Sequence, residues 1–203
     1  MARKKDPVGT RALILKAAGL EFCELGITAA RVNTIVERAN VTKGCLFHHF
    51  SSKEDLALAW IKETLPPLLE SAWLTPLSQI DISPIETLKK ILQEQVRVIE
   101  QTPSSEFVGS PIATLAASVP HSEVLLAQEI QQLYGQWHEG IEASLTIGQK
   151  NRTIHSAIKA SEEASLIISM SIGLELLVKS SGAAAAVGFL RSAFAYLDTL
   201  RPA

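Results

Sequence analysis

The chain has 203 residues, 47% of them hydrophobic and 20% charged, which is the composition of a folded globular protein and excludes a disordered chain. Its two cysteines, Cys23 and Cys45, are too few for a disulfide scaffold and indicate a reducing compartment. The net charge of −2 is unevenly divided: residues 1–53 carry nine Lys and Arg against four acids, and the remainder ten against seventeen. This division favours a polyanionic partner, such as duplex DNA, at the N-terminal end.

Apolar spacing predicts three helices near the N-terminus. The first begins near Thr10. It ends at Gly26, because a glycine past a helix end adopts positive φ without a side-chain penalty. The second fits Val32–Ala39 and is followed by Asn40, which tolerates positive φ in a tight turn. Thr42 then offers its hydroxyl as the N-cap of a third, very short helix, Lys43–His49.

Helical patterns also fill the rest of the chain. Ser51 and Glu54 have capping-box spacing and begin a fourth helix that runs toward Pro66. Prolines punctuate the later segments, and no strand pattern is present. We therefore predict an all-α protein with a three-helix unit at 1–55 and a larger helical domain at 56–203. The further helices are placed at Pro84–Gln101, Pro111–Ser118, His121–Ile147, Ser156–Ser180 and Ala183–Leu200.

The two short helices after Gly26 cannot bury their apolar faces alone, so the first helix must pack across them. Such a unit is a helix-turn-helix. The second helix of the pair enters the DNA major groove N-terminus first, which directs the backbone amides of Lys43 and Gly44 toward phosphates.

The same residues resemble the TetR family of transcriptional regulators over about the first 56 positions. Glu21, Asn40 and Cys45 depart from the usual pattern, where an apolar residue, a glycine and a small hydroxyl residue are common. The matching residues are Thr10-Arg11, Ile14-Leu15, Ala17-Ala18, Phe22 and Gly26, then Val32, Ile35, Ala39, Val41-Thr42-Lys43-Gly44, Leu46-Phe47-His48-His49-Phe50 and Ser52-Lys53-Glu54.

The resemblance implies a dimeric regulator, usually a repressor, that binds a palindromic operator and is released by a small molecule. Residues 1–55 are then the helix-turn-helix DNA-binding domain, and residues 56–203 are the helical ligand-binding, regulatory and dimerisation domain. Its base-reading positions fall on Lys43, Gly44 and Cys45, whereas Leu46 and Phe50 are expected in the core. Phosphate contacts are implied for Thr42, Lys43, Phe47, His48 and Lys53, with support from Arg31 and Asn33.

A ligand site is expected in the C-terminal part. The stretch Gly109-Ser110-Pro111 through Leu115-Ala116, followed by Trp137, is similar to a subgroup of the family that senses small reactive or unsaturated molecules, which points to a cavity near residues 107–118. Ser110 stands where that subgroup often has a cysteine. The candidate ligand-binding residues are Phe107, Ser110, Trp137, His138 and Glu142; the alternative is that Trp137 is a core aromatic.

The last two predicted helices carry more apolar residues than one small domain needs to bury. We expect them to form a four-helix interface with the same pair of a second subunit. The interface residues predicted are Leu166, Met170, Leu174, Leu177, Phe189, Ala193, Phe194 and Leu197.

Other readings of the sequence are weaker. Cys45, His48 and His49 have the spacing of metal ligands on one helical turn, but a metal there would occupy the DNA-reading surface, so we expect no metal and no cofactor. Oxidation of Cys45, a thiol at a helix N-terminus, is an alternative way to abolish DNA binding. No hydrolase elbow, phosphate loop or HExxH motif occurs, so we expect no enzyme.

A helical protein-interaction adaptor without DNA binding is the alternative function, although it would not need a basic N-terminal unit. The basic start is followed by Asp6 and Pro7 rather than by an apolar stretch, so we expect no signal peptide. The apolar stretch Leu166–Val178 is interrupted by polar residues and is too short to cross a bilayer. A cytoplasmic location is therefore expected.

Overall fold

The computed structural model describes residues 7–79, 82–101, 111–119 and 123–202. Within these residues every regular element is helical, which confirms the all-α prediction. A π-helical turn, Glu70–Leu74, and a 3₁₀ turn, Ala183–Ala185, complete the helices. The helices are α1 Pro7–Ala29, α2 Val32–Arg38, α3 Lys43–His49, α4 Lys53–Leu69, α5 Thr75–Leu77, α6 Pro84–Gln101, α7 Pro111–Ser118, α8 Val124–Lys150, α9 Ala160–Ser181 and α10 Ala186–Thr199.

The local signals near the N-terminus are confirmed. Gly26 breaks the helical path of α1 at φ 77° and ψ 162°, and one further turn continues to Ala29. Asn40 adopts φ 52° in the turn between α2 and α3. The α3 helix has the bounds that its cap predicted.

The start and the end of α4 differ from prediction. Ser52 rather than Ser51 supplies the cap, because its Oγ accepts the Asp55 amide at 3.1 Å, while the Asp55 carboxylate accepts the Ser51 amide at 2.8 Å. Pro66 and Pro67 do not end the helix, which continues to Leu69. The capping side chains are therefore Ser52 and Asp55, each one residue later than the predicted pair Ser51 and Glu54.

The chain folds into two compact units. The first contains the described residues of 1–66 and 111–131, and the second contains those of 67–110 and 132–203. The division into functional domains at residue 55 stays a prediction. In the first unit α1 packs against α2, α3 and α7. Its core is apolar and includes Ile14, Ala18, Phe22, Ile35, Leu46, Phe50 and Leu56.

One contact in the first unit joins α7 to the break in α1. A Cβ atom built on Gly26 would lie 2.7 Å from the Cβ of Ser118, so only glycine fits there. The last turn of α7 therefore rests directly on the backbone where α1 ends.

In the second unit α6, α9 and α10 pack on one another. The rings of Trp73 and Trp137 meet edge to face at 4.9 Å between their centroids, and both are buried. The Gln149 side-chain amide donates to the carbonyl of Ile158 at 2.9 Å and thereby holds the connection from α8 to α9. The buried side chains of this unit include Ile85, Leu88, Leu92, Ile141, Ile167, Leu174 and Leu197.

Candidate nucleic-acid interface

The α3 helix is presented by a tight turn and a capped N-terminus. The Oγ1 of Thr42 accepts the Cys45 amide at 3.2 Å, and the Val41 amide donates to the Val36 carbonyl at 3.0 Å. The cap satisfies one of the amides that a helix N-terminus leaves without an intrahelical partner. The first turn of α3 is thus fixed without using the Lys43 side chain.

The two faces of α3 differ sharply. Leu46 is fully buried, and Phe50, just beyond the helix, lies under the Arg11 guanidinium, 4.9 Å from the ring centroid. On the opposite face Lys43 and His48 are exposed, and Phe47 is 47% exposed although it is a large apolar residue. An exposed phenylalanine beside a lysine and a histidine on a short helix suits contact with a sugar-phosphate backbone.

The remaining predicted contacts are placed as follows. Thr42, Gly44 and Asn33 are exposed and Cys45 is partly exposed. The Arg31 side chain is 72% exposed at the residue before α2. These positions, together with Lys43, Phe47 and His48, form an exposed and largely basic or polar surface on the helix pair.

Lys53 has a second role. Its Nζ donates to the carbonyl of Thr28 at 2.8 Å and to that of Ala30 at 3.3 Å, so it binds the end of α1 from the start of α4. A lysine has three donors, and two of them are used here. Its predicted phosphate contact stays a prediction.

Sequence reasoning missed the part that Glu21 plays. Glu21 lies in α1, is 1% exposed, and accepts the Arg31 backbone amide at 3.1 Å. The sequence carries only the signal of a carboxylate at a position with core spacing. Its partners lie ten and more residues away, and their nearness is a property of the fold.

Among the described residues, no three His, Cys, Asp or Glu side chains are placed to hold a metal ion. The rings of His48 and His49 meet edge to face at 5.5 Å, and Cys45 is a free thiol. The redox hypothesis for Cys45 stays a prediction.

The ligand-binding candidates are only partly described, because Phe107 and Ser110 lie outside the described residues. Trp137 is buried, and its indole Nε1 has no hydrogen-bond partner within the described part of the chain. The Nε2 of His138 lies 3.0 Å from the Ser161 carbonyl, and its Nδ1 lies 3.6 Å from the Glu142 carboxylate. His138 therefore joins α8 to α9.

A polar cluster that sequence reasoning missed lies between α6 and α9. The Gln95 amide donates to the buried Ser171 hydroxyl at 2.7 Å and to Glu175 Oε1 at 2.9 Å. Burial raises the pKa of the Glu175 carboxyl to about 7, and the Gln95 hydrogen bond opposes that rise. Gln95 Oε1 and Glu175 Oε2 have no partner among the residues that the structure describes.

A pocket of about 80 Å³ in the second unit is lined by Ser83, Ser144 and Thr153, among others. Ligand pockets are usually roughly 300–1,000 Å³. None of the predicted ligand-binding residues lines it, and its size suits water or a few atoms.

The predicted dimer residues fall into two groups. Leu174, Ala193 and Leu197 are buried by their own chain, so they present almost no area to a second subunit. Leu166 is 43% exposed, and partial exposure is shared by Met170, Leu177, Phe189 and Phe194.

This geometry defines the class of protein. The helices α1 to α3 form an N-terminal helix-turn-helix, and a larger helical part follows them along the chain. Residues 14–60 match the model of a family described as bacterial regulatory proteins, tetR family. The N-terminal part of the chain therefore carries the DNA-binding region of the TetR family.

Two relatives illustrate the similarity. The chain is 25% identical over 179 residues to the A-factor receptor protein of Streptomyces griseus, covering 87% of this chain and 58% of that one. It is 25% identical over 131 residues to the HTH-type transcriptional repressor KstR2 of Mycolicibacterium smegmatis, covering 63% of this chain and 61% of that one. The matched regions thus span less than two thirds of these relatives' lengths.

The fold is also that of a TetR-family transcriptional regulator from Agrobacterium tumefaciens. The two structures superpose with a TM-score of 0.82 at 18% identity, over 97% of this chain and 100% of the other. At that identity the likeness concerns the fold.

Proposed function

We propose that this protein is a transcriptional repressor that binds operator DNA through α3 and the start of α2. The observation that carries the proposal is the exposed face of α3, with Lys43, Phe47 and His48 outward and Leu46 inward. The fixed first turn of α3 directs its amides and side chains to one groove of the duplex. No catalytic chemistry is part of this proposal.

The repressor acts as a homodimer, and the support lies in α9. Ala160–Ser181 is long and apolar enough to span a membrane by length and composition alone, yet only 33% of its 18-residue apolar window is buried. Leu166, Met170, Gly173 and Leu177 follow one another at spacings of four, three and four, so they form one stripe. A second copy covering this stripe gives a two-fold symmetric dimer with two α3 helices. Such a dimer matches a palindromic operator, with one α3 helix for each half-site. The protein then acts where its DNA is, in the cytoplasm.

A small-molecule effector releases the operator. Two sets of buried polar atoms in the second unit are available to hydrogen-bond the effector. The Trp137 indole N–H is a donor, and Gln95 Oε1 and Glu175 Oε2 are acceptors. In the first unit, α7 rests on the break in α1, so a shift of α7 changes the support of the helix-turn-helix. A difference in effector affinity between two such arrangements, typically about 1–3 kcal/mol, is sufficient for regulation.

The first experiment selects bound duplexes from a random-sequence pool with the full chain. We expect a palindromic sequence with two half-sites. Affinity for it should fall steeply with salt, and Lys43→Ala should reduce the slope of log affinity against log salt by about one, the contribution of one phosphate contact. Lys150→Ala, which removes an exposed lysine of the second unit, is the matched control and should leave the slope unchanged.

Duplex binding without a salt-dependent affinity, or no duplex selected at all, would contradict the proposal and favour the adaptor function. For the effector, candidate molecules are screened by quenching of tryptophan fluorescence, with Trp137→Phe as the control. A true effector must also lower affinity for the selected duplex.

A further inference from the structure

Glu21 is a carboxylate in the core of the first unit. It is 1% exposed and is flanked in α1 by the buried Phe22. A buried carboxylate is costly unless hydrogen bonds and opposite charges satisfy its oxygens. Its position therefore has to be explained by its partners.

Those partners lie at the two ends of α2. Glu21 Oε1 accepts the backbone amide of Arg31 at 3.1 Å, and Glu21 Oε2 lies 3.5 Å from Arg38 Nη1. Arg38 also donates to Glu24 Oε2 at 2.7 Å. Both ends of this seven-residue helix are thus tied to carboxylates of α1.

The bond at the first end replaces a missing local cap. Arg31 is the N-cap residue of α2, and its side chain makes no capping hydrogen bond in the described structure. In a capping box, a carboxylate three residues into the helix accepts the N-cap amide. Here that acceptor is Glu21, which comes from a different helix and so fixes where α2 begins relative to α1.

The position of α3 depends on this attachment. Four residues separate α2 from α3, and the Val41 amide bonds back to the Val36 carbonyl. A rotation of α2 would therefore move α3 with it. Because Glu21 engages Arg31 mainly through the backbone, with the guanidinium Nε 3.9 Å away, the Arg31 side chain stays 72% exposed.

We propose that Glu21 is a positioning residue for operator recognition, whose carboxylate holds α2, and through it α3 and Arg31, in register on DNA. This inference rests on the DNA-binding function proposed above. The competing account is that Glu21 only neutralises arginine charge and weakens DNA binding everywhere.

The test compares Glu21→Leu with Glu21→Gln in the full chain. Each is measured against a duplex selected by the unmodified protein and against a shuffled duplex of the same composition. Glutamine retains the oxygen that accepts the Arg31 amide, so its selected-to-shuffled affinity ratio should stay within about threefold, whereas leucine should lower the ratio about tenfold or more. Glu54→Gln removes an exposed carboxylate charge from the same unit without touching the attachments of α2 described above, and should leave the ratio unchanged.

Two results would overturn the proposal. An equal loss on both duplexes for Glu21→Leu means a lower folded fraction only. Tighter binding to both duplexes by Glu21→Leu and Glu21→Gln, with steeper salt dependence, means charge neutralisation only.

Hydrogen exchange tests the clamp without DNA. In Glu21→Leu, the amides of Arg31 and of α2 should exchange at least about tenfold faster than in the unmodified chain, while the Phe22 amide of α1 stays protected. Unchanged exchange in α2 would refute the positioning role. If the unmodified protein selects no duplex, the proposed function fails, but this measurement still decides whether Glu21 positions α2.

Discussion

Replacing Gly26 with alanine should destabilise the first unit strongly. At φ 77° and ψ 162° the backbone lies in a region that is essentially restricted to glycine, which costs about 1–3 kcal/mol for other residues. The added Cβ would also lie 2.7 Å from Ser118 Cβ and 2.9 Å from Ser118 Oγ, and such overpacking typically costs about 1–3 kcal/mol. The lower entropy of the unfolded chain offsets about 0.4–1 kcal/mol. We expect the free energy of unfolding to fall by about 2–4 kcal/mol, as measured by urea denaturation followed by circular dichroism.

A double-mutant cycle separates the two causes. Ser118→Gly removes the atoms that collide with the new methyl group, so the double variant should recover about 1 kcal/mol relative to the sum of the single changes. Gly135→Ala is the matched control, because its Cβ would meet no atom within 4 Å inside α8. Strict additivity, or a Gly26→Ala variant as stable as Gly135→Ala, would refute the argument that α7 rests on this glycine.

Three further outcomes are expected. Thr42→Ala should lower the free energy of unfolding by about 1 kcal/mol because the Cys45 amide loses its acceptor, whereas Thr42→Ser should retain it; equal losses in urea denaturation would contradict the cap. Burial raises the Glu175 pKa from 4.5 to about 7, so the folded state holds this proton more tightly and the free energy of unfolding should fall as the pH rises through that range. Glu175→Gln should remove that fall and be more stable at pH 8 by up to about 3 kcal/mol; an unchanged pH dependence in urea denaturation would refute this assignment. Leu177→Arg should give a monomer in sedimentation analysis, whereas Leu125→Arg, a change at an exposed leucine of α8, should not; a stable Leu177→Arg dimer would refute the α9 interface.

The sequence alone determined the features that depend on neighbouring residues. Gly26, Asn40 and Thr42 mark a helix break, a turn and a cap, because positive φ and a cap hydrogen bond depend on residues within about one helical turn. The resemblance to the TetR family placed Leu46 and Phe50 in the core, and both are buried. These local signals were sufficient to predict the helix-turn-helix.

Only the tertiary structure decided which charged and apolar side chains were already engaged. Lys53 was predicted from the resemblance to contact phosphate, and the structure adds that its ammonium donates to carbonyls near the end of α1. Leu174 and Leu197 were predicted to face a second subunit, yet their own chain buries them. Periodicity shows that a helix has an apolar face but not how much of that face its own domain covers.

The same limit applies to Glu21 and Glu175. In the sequence Glu21 is noticeable only as an acid at a position where an apolar residue is common, and Glu175 is one acid among many. Their partners, Arg31 and Arg38 for one and Gln95 for the other, come from different helices and meet them only when the helices pack. Hydrogen bonding and desolvation act over a few ångströms in space, so groups distant in sequence acquire these roles only in the folded chain.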